Sequence, residues 1–172
     1  MCEMASFVIT SEKIFWSKKT DSHEEIIREF GIQQDGIRGP NIMRVEVVPP
    51  RYNYLLPINK WVYKTDQDII PEWYEEEKYK PMVMEYLRDW VAQKIITADC
   101  EKTNGNYIVV SGRVILRGSS SAVLWGSSSA ELRDSSSAEL WGSSSAVDRR
   151  KNITVIYYAN KKWIAEQKNG KI

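Results

Sequence analysis

Cysteine and histidine are nearly absent from the 172 residues: two cysteines, Cys2 and Cys100, and one histidine, His23. So few cysteines exclude a disulfide framework and a thiolate zinc site, and make a reducing cytoplasm the expected setting. No apolar run approaches the roughly 18 residues of a transmembrane helix. The opening MCEMASFVITSEKIFW lacks the basic start, apolar stretch and small-residue cleavage site of a secretory signal. Charge of one sign is missing too, with 24 basic residues against 23 acidic. That balance gives no global attraction to nucleic acid or to an anionic membrane, so either contact would need a local patch. What remains, 42% hydrophobic and 27% charged residues, is the composition of a soluble globular chain.

Proline stops at Pro81, and the chain changes character near residue 105. Residues 1–104 are varied and read as a small α+β module. SFVITSEKIFW reads as a strand or hairpin, with Phe7, Ile9, Ile14 and Trp16 around a polar break. Ser22 with Glu25 three residues later is a reciprocal helix start, Ile26, Ile27 and Phe30 give that helix an apolar side, and Gly31 ends it. IMRVEVV, residues 42–48, reads as a strand stopped by Pro49 and Pro50, and YNYLLPINKWVY as a further extended segment. Trp73 and Tyr74 are expected to cover one end of this core. Pro81 is expected to open the strongest helix, with Met84, Leu87, Val91 and Ile95 as its apolar stripe.

The second region, 105–160, is dominated by an octad. GSSSAVLW, GSSSAELR, DSSSAELW and GSSSAVDR begin at Gly118, Gly126, Asp134 and Gly142. A serine-rich linker has no need of Ala122, Ala130, Ala138 and Ala146 at fixed spacing, nor of Leu124, Leu132 and Leu140 two places beyond the first three; regular burial does. Serine, alanine and leucine form the inward face, and the charged residues look outward because an unpaired buried charge is costly. Two octads make a sixteen-residue coil of a flattened β-solenoid. This phase stacks Val114 on Ala130 and Ala146, Leu116 on Leu132, Ala122 on Ala138, and Leu124 on Leu140 and Ile156. About three coils over 110–158 follow, ~4.8 Å apart. An antiparallel meander would give no reason for like-on-like registration.

The same phase makes two outward rows. Trp125, Trp141 and Tyr157 are expected to form an aromatic row on one broad side, suited to protein docking, to self-association or to cover by the amino-terminal module. Arg117, Arg133 and Arg149 form a second row, on the opposite side, suited to a phosphate or other small anion or to acidic side chains, or else a simple hydrated face together with Glu131, Glu139, Asp134 and Asp148. Their separation argues against nucleic acid, which needs stacking and phosphate neutralisation in one groove. Residues 161–172, with Lys161, Lys162, Lys168, Lys171, Trp163 and Ile164, read as a basic cap or tail.

No coherent catalytic set is expected. GIRGPN and GNYIVVSGR lack the spacing of a phosphate loop, the serine runs lack a base, and His23 reads as part of a helix-start polar cluster with Asp21, Glu24 and Glu25. Asp66 and Asp68 sit in a turn, and Glu75, Glu76 and Glu77 read as a solvated helix end without metal-loop spacing. No cofactor and no metal site are expected.

WSKKTDSHEEIIREFGI, MRVEVVPP, NKWVYKTDQDIIPEWY and a helix ahead of the octads, in that order, resemble poorly characterised bacterial and phage proteins that join a small amino-terminal module to a short-repeat β-solenoid. The resemblance covers nearly the whole chain. It implies architecture without transferable catalytic residues, and phage association would imply action on a host or defence protein. The expected function is a nonenzymatic interaction or scaffold protein. The alternatives are a small anionic ligand held at the junction of module and solenoid, and a homo-oligomeric structural protein.

Overall fold

A computed structural model describes residues 5–36 and 39–149, and the backbone of 153–158 and 161–166. The chain forms two compact units, Met1–Ala92 and Gln93–Ile172.

In the first unit, strands β1 (Ser6–Ile9) and β2 (Ile14–Phe15) make the expected hairpin. Helix α1 (His23–Phe30) starts at Ser22, whose side chain accepts from the Glu25 N–H, and stops at Gly31 in the left-handed conformation. A two-residue pair, β3 (Asp35–Gly36) and β4 (Gly39–Pro40), precedes β5 (Met43–Val48). The segment read as extended after Pro50 instead forms two short 3-10 turns, Pro50–Tyr52 and Ile58–Lys60, before β6 (Val62–Thr65). Prolines at the head of each turn fix the backbone bend there. The sheet runs β2-β1-β5-β6, all antiparallel.

Helix α2 spans Glu76–Lys94, so Pro81 lies inside it and does not open it. The turn closed by the Lys78 and Tyr79 N–H groups on the Glu75 carbonyl nucleates the helix one turn earlier. Its buried positions are Tyr79, Val83, Leu87, Trp90 and, at its last residue, Lys94. The stripe is therefore rotated from the expected Met84, Leu87, Val91 and Ile95, sharing only Leu87. The aromatic residues decide the rotation: Trp90 donates to Asp21 (3.1 Å) and meets the Trp61 ring edge-on at 6.3 Å, and the Tyr79 hydroxyl donates to the Ser11 carbonyl (3.2 Å). Large rings with satisfied polar tips outweigh a methionine.

The second unit is a β-solenoid of about three turns. Strands β7 (Ile95–Ile96), β9 (Asn106–Val109), β11 (Ser121–Leu124) and β13 (Ser137–Leu140) stack as one parallel sheet. The opposite sheet stacks β8 (Cys100–Thr103), β10 (Arg113–Arg117), β12 (Ser129–Leu132) and β14 (Ser145–Asp148), also in parallel. Stacking thus begins at Ile95, ahead of the change in composition at 105. Register confirms the sixteen-residue phase in the octads: Val114 faces Ala130 and Ala130 faces Ala146, Leu116 faces Leu132, Ala122 faces Ala138, and Leu124 faces Leu140. Below them the coil shortens. Asn106 pairs with Ser121, fifteen on; Cys100 with Val114, fourteen on; Ile95 with Ile108, thirteen on.

Within each octad the third, fifth and seventh residues point inward. Ser120, Ser128, Ser136 and Ser144 are buried, as are Ala122, Ala130 and Ala146, and Leu124, Leu132 and Leu140. A leucine side chain withdrawn from water stabilises by about 1.5–3 kcal/mol, which gives the narrow core its driving force. The first residue of every octad turns the corner with positive φ: Gly118 at 60°, Gly126 at 61°, Asp134 at 53° and Gly142 at 70°. Glycine is preferred where that conformation is required, and aspartate is among the few other residues that tolerate it.

The phase does not continue past Asp148. β15 (Ile153–Tyr158) runs antiparallel to β14, with Ser145 opposite Ile156, and β16 (Lys161–Glu166) pairs antiparallel with β15. The expected stack of Ile156 on Leu140 is therefore wrong, since Ile156 joins the other sheet in reversed direction. Lys168 and Lys171 lie outside the described residues. No helix among the described residues is long and apolar enough to cross a membrane.

Candidate functional site

The eighth residue of each octad follows an outward strand and sits where the chain leaves a sheet, so like residues gather at the two corners of the coil and not on its broad sides. At one corner, just beyond β11 and β13, Trp125 and Trp141 stack with ring centroids 5.4 Å apart and planes within 15° of parallel. Trp141 is 44% exposed, and its indole N–H donates to Glu139 at 2.9 Å. Sixteen-residue phasing brings these two together as expected. Tyr157 does not extend their row: it lies in β15, opposite Lys162, on the other sheet, and its side chain lies outside the described residues.

The other corner carries Arg117, Arg133 and Arg149, in the expected sixteen-residue spacing. They are not a bare cationic stripe. Arg117 is bonded to Glu101. Glu131, expected among the hydrated outward charges, is only 4% exposed and is the centre of a cluster: Arg133 contacts one carboxylate oxygen (2.6 Å), while Arg113 (2.9 Å) and Arg149 (3.2 Å) reach the other. Hydrogen bonds from Arg149, then Arg133, hold its carboxyl down to about 2, against the ordinary 4.5. Cations aligned at strand spacing need a counterion, and here the chain supplies it. Arg113 was missed in the sequence because it opens β10, away from the corner; the signal was its spacing of eighteen from Glu131, matched by Arg149 eighteen beyond.

The buried serine at the third position of each octad is internal scaffolding. Ser128 donates to the Trp125 carbonyl (2.7 Å) and lies 3.2 Å from the Val109 carbonyl one coil away; Ser136 repeats this with Arg133 (2.5 Å) and Leu116 (3.0 Å). Each of these two hydroxyls thus finds its own partners inside the coil, adding a second bond to carbonyls that already accept a backbone N–H.

In the first unit, His23 is the first residue of α1, at the helix start where it was expected near Asp21, Glu24 and Glu25, and it also reaches residues far along the chain. Its ring is buried, with Nε2 3.1 Å from the Val45 carbonyl and Nδ1 3.1 Å from Asp66. The ligand-capable atoms of His23, Glu46 and Asp66 all lie within 4.8 Å of one another. Glu46 carried no signal beyond being the one carboxylate on the strand Met43–Val48. Glu75, Glu76 and Glu77 are exposed, with Glu76 paired to Lys80 (2.9 Å), as a solvated helix turn requires. A cleft of about 470 Å³ is lined by Asp35, Gly36, Arg44, Gln67 and Asp68 among others. Its mixed acid and base lining selects no ligand charge.

Compared with known proteins, the chain matches no family model, no curated protein and no solved structure; of the expected resemblance, the structure supports the architecture alone, an amino-terminal α/β region followed by a β-solenoid, and neither a family nor a bacterial or phage origin.

Proposed function

We propose that the chain is a nonenzymatic protein-interaction module whose contact surface is the Trp125–Trp141 corner of the solenoid. The stacked, partly exposed tryptophan pair carries this reading. Two indoles in fixed orientation offer a rigid apolar anchor at small entropic cost, the commonest kind of interface hot spot. The neighbouring strand supplies a second element. β13 ends its sheet among the described residues, leaving an edge on which an extended polypeptide can add main-chain hydrogen bonds. The occupant is therefore an extended peptide segment of a partner protein, with an apolar side chain laid against Trp141 and a hydroxyl or cation near Glu139. A phage origin would make that partner a host or defence protein.

Selection of displayed random peptides on the full chain tests the proposal. Enrichment of β-prone peptides that lose at least tenfold in affinity on Trp141→Ala, with circular dichroism unchanged, supports it. Peptides that bind the variant as well as the parent, or no enrichment, reject it. Light scattering across a concentration series distinguishes a second copy of the chain as the occupant.

The competing reading, anion binding by Arg117, Arg133 and Arg149, is less favoured because Glu101 and Glu131 already accept their hydrogen bonds.

A further inference from the structure

We propose that His23, Glu46 and Asp66 form a binding site for a divalent transition-metal ion of the zinc class. Three elements bring them together: His23 is the first residue of α1, Glu46 lies on β5, and Asp66 follows β6, fixed there by its N–H on the Arg44 carbonyl at 2.9 Å. The histidine is oriented by its other nitrogen. The Val45 carbonyl only accepts, so Nε2 donates to it, and Nδ1 faces the Asp66 carboxylate, where an ion would take the place of a proton shared between them. A backbone carbonyl on the remote ring nitrogen is the usual support of a metal-bound imidazole.

Distances fit the ion. Zinc bonds of about 2.0–2.2 Å place tetrahedral ligand atoms about 3.3–3.6 Å apart. Nδ1 and the Asp66 oxygen stand 3.1 Å apart, and all three ligand atoms lie within 4.8 Å. A small side-chain contraction closes the triangle. One imidazole with two carboxylates is a borderline donor set that suits zinc better than calcium, which takes six to eight oxygens. Burial also fits: His23 and Glu46 are 1% and 6% exposed, whereas the Asp66 side chain is 48% exposed and gives the ion a way in. Lys64, opposite Glu46 on β6, is the competing cation.

The test is calorimetric titration of zinc chloride into the tag-free full chain after chelator treatment, with cobalt(II) absorption as a second reading. One equivalent should bind, with intense bands of tetrahedral cobalt, no thiolate-to-cobalt charge transfer, and a shift of the ring signals of the single histidine. Asp66→Asn, at a half-exposed position that should fold, should weaken binding at least tenfold, and Glu46→Gln should act likewise. Absence of binding at millimolar zinc by a folded chain overturns the site and assigns the cluster to a proton and Lys64. Undiminished binding by folded Asp66→Asn, or thiolate charge transfer, places the ion elsewhere and overturns it equally. None of these outcomes bears on the tryptophan corner, which lies in the other unit.

Discussion

Replacing Glu131 by glutamine removes one charge from the solenoid without changing its volume. In the parent, Nε and Nη2 of Arg133 lie 2.7 and 2.6 Å from one carboxylate oxygen, and Arg113 and Arg149 lie 2.9 and 3.2 Å from the other. A carboxamide keeps one acceptor but turns an NH2 group toward a guanidinium, leaving three cations with no buried counterion. Breaking a buried ion pair costs about 3–5 kcal/mol, and a hydrogen bond to a charged group contributes about 1.5–3. Arg113 and Arg149 are 56% and 50% exposed and regain water, which lowers the expected loss to about 2–3 kcal/mol. Hydrogen exchange of peptides from 113–149 across a urea series reads this opening apart from that of Met1–Ala92.

Acid supplies the internal control. A carboxyl held down to about 2 in the fold, against an ordinary 4.5, contributes stability that is complete above the ordinary value and is lost as pH falls toward about 2. The parent should therefore weaken through this window, and Glu131→Gln should lack that component, so the two converge as pH drops. A variant within about 0.5 kcal/mol of the parent near neutrality, or a difference that stays constant from about pH 5 to about pH 2.5, refutes the reasoning, because either result means that the arginines do not depend on this carboxylate.

Two further perturbations probe the interior and the phase. Ser128→Ala removes the hydroxyl's bonds to the Trp125 and Val109 carbonyls, each of which keeps a backbone N–H donor, and should cost about 0.5–1.5 kcal/mol, while Ser144→Ala, whose hydroxyl has no partner among the described residues, should be neutral within about 0.5. Equal effects in urea unfolding would deny the serines their role at the corners. Duplicating the sixteen residues Gly126–Trp141 should insert a coil and keep the tryptophan stack. Duplicating only Gly126–Arg133 should move Trp141 to the arginine corner and abolish the exciton signal of the pair in circular dichroism. Equal signals from both insertions would reject the sixteen-residue coil.

What was legible in the sequence was the part in which structure repeats. Ala122 over Ala138 and Leu124 over Leu140 could be read because the octads keep one length, and the alternation of Ser, Ala and Leu with larger or charged residues leaves only one face to bury. The start at Ile95 was not legible. Coils of thirteen to fifteen residues carry Cys100 and Tyr107 in place of alanine, and they shorten at the turns, where no side-chain period reports the change. The His23 cluster was invisible for a different reason. Its members are 20 or more residues apart and are brought together by an antiparallel sheet, so their proximity is a fact of topology. The Glu131 cluster stood between these cases: its eighteen-residue spacings were present in the sequence, but only the stacked register gives them meaning.

The end of the solenoid shows why a period alone overreaches. Carrying the phase through Ile156 and Tyr157 assumed that the next strand resembles the last, yet the final octad already breaks the rule at its seventh position. Asp148 stands in register with Leu132, itself above Leu116. A carboxylate in that column makes another apolar layer costly, because a coil stacked upon it would enclose the charge. The chain answers by reversing direction. β15 pairs back along β14 and β16 follows it, covering this edge with an antiparallel hairpin, while β13 ends the opposite sheet among the described residues. The single substitution of aspartate for leucine thus marks where one sheet is closed off, and it leaves the edge beside Trp141 as the place where the repeat can still accept another strand.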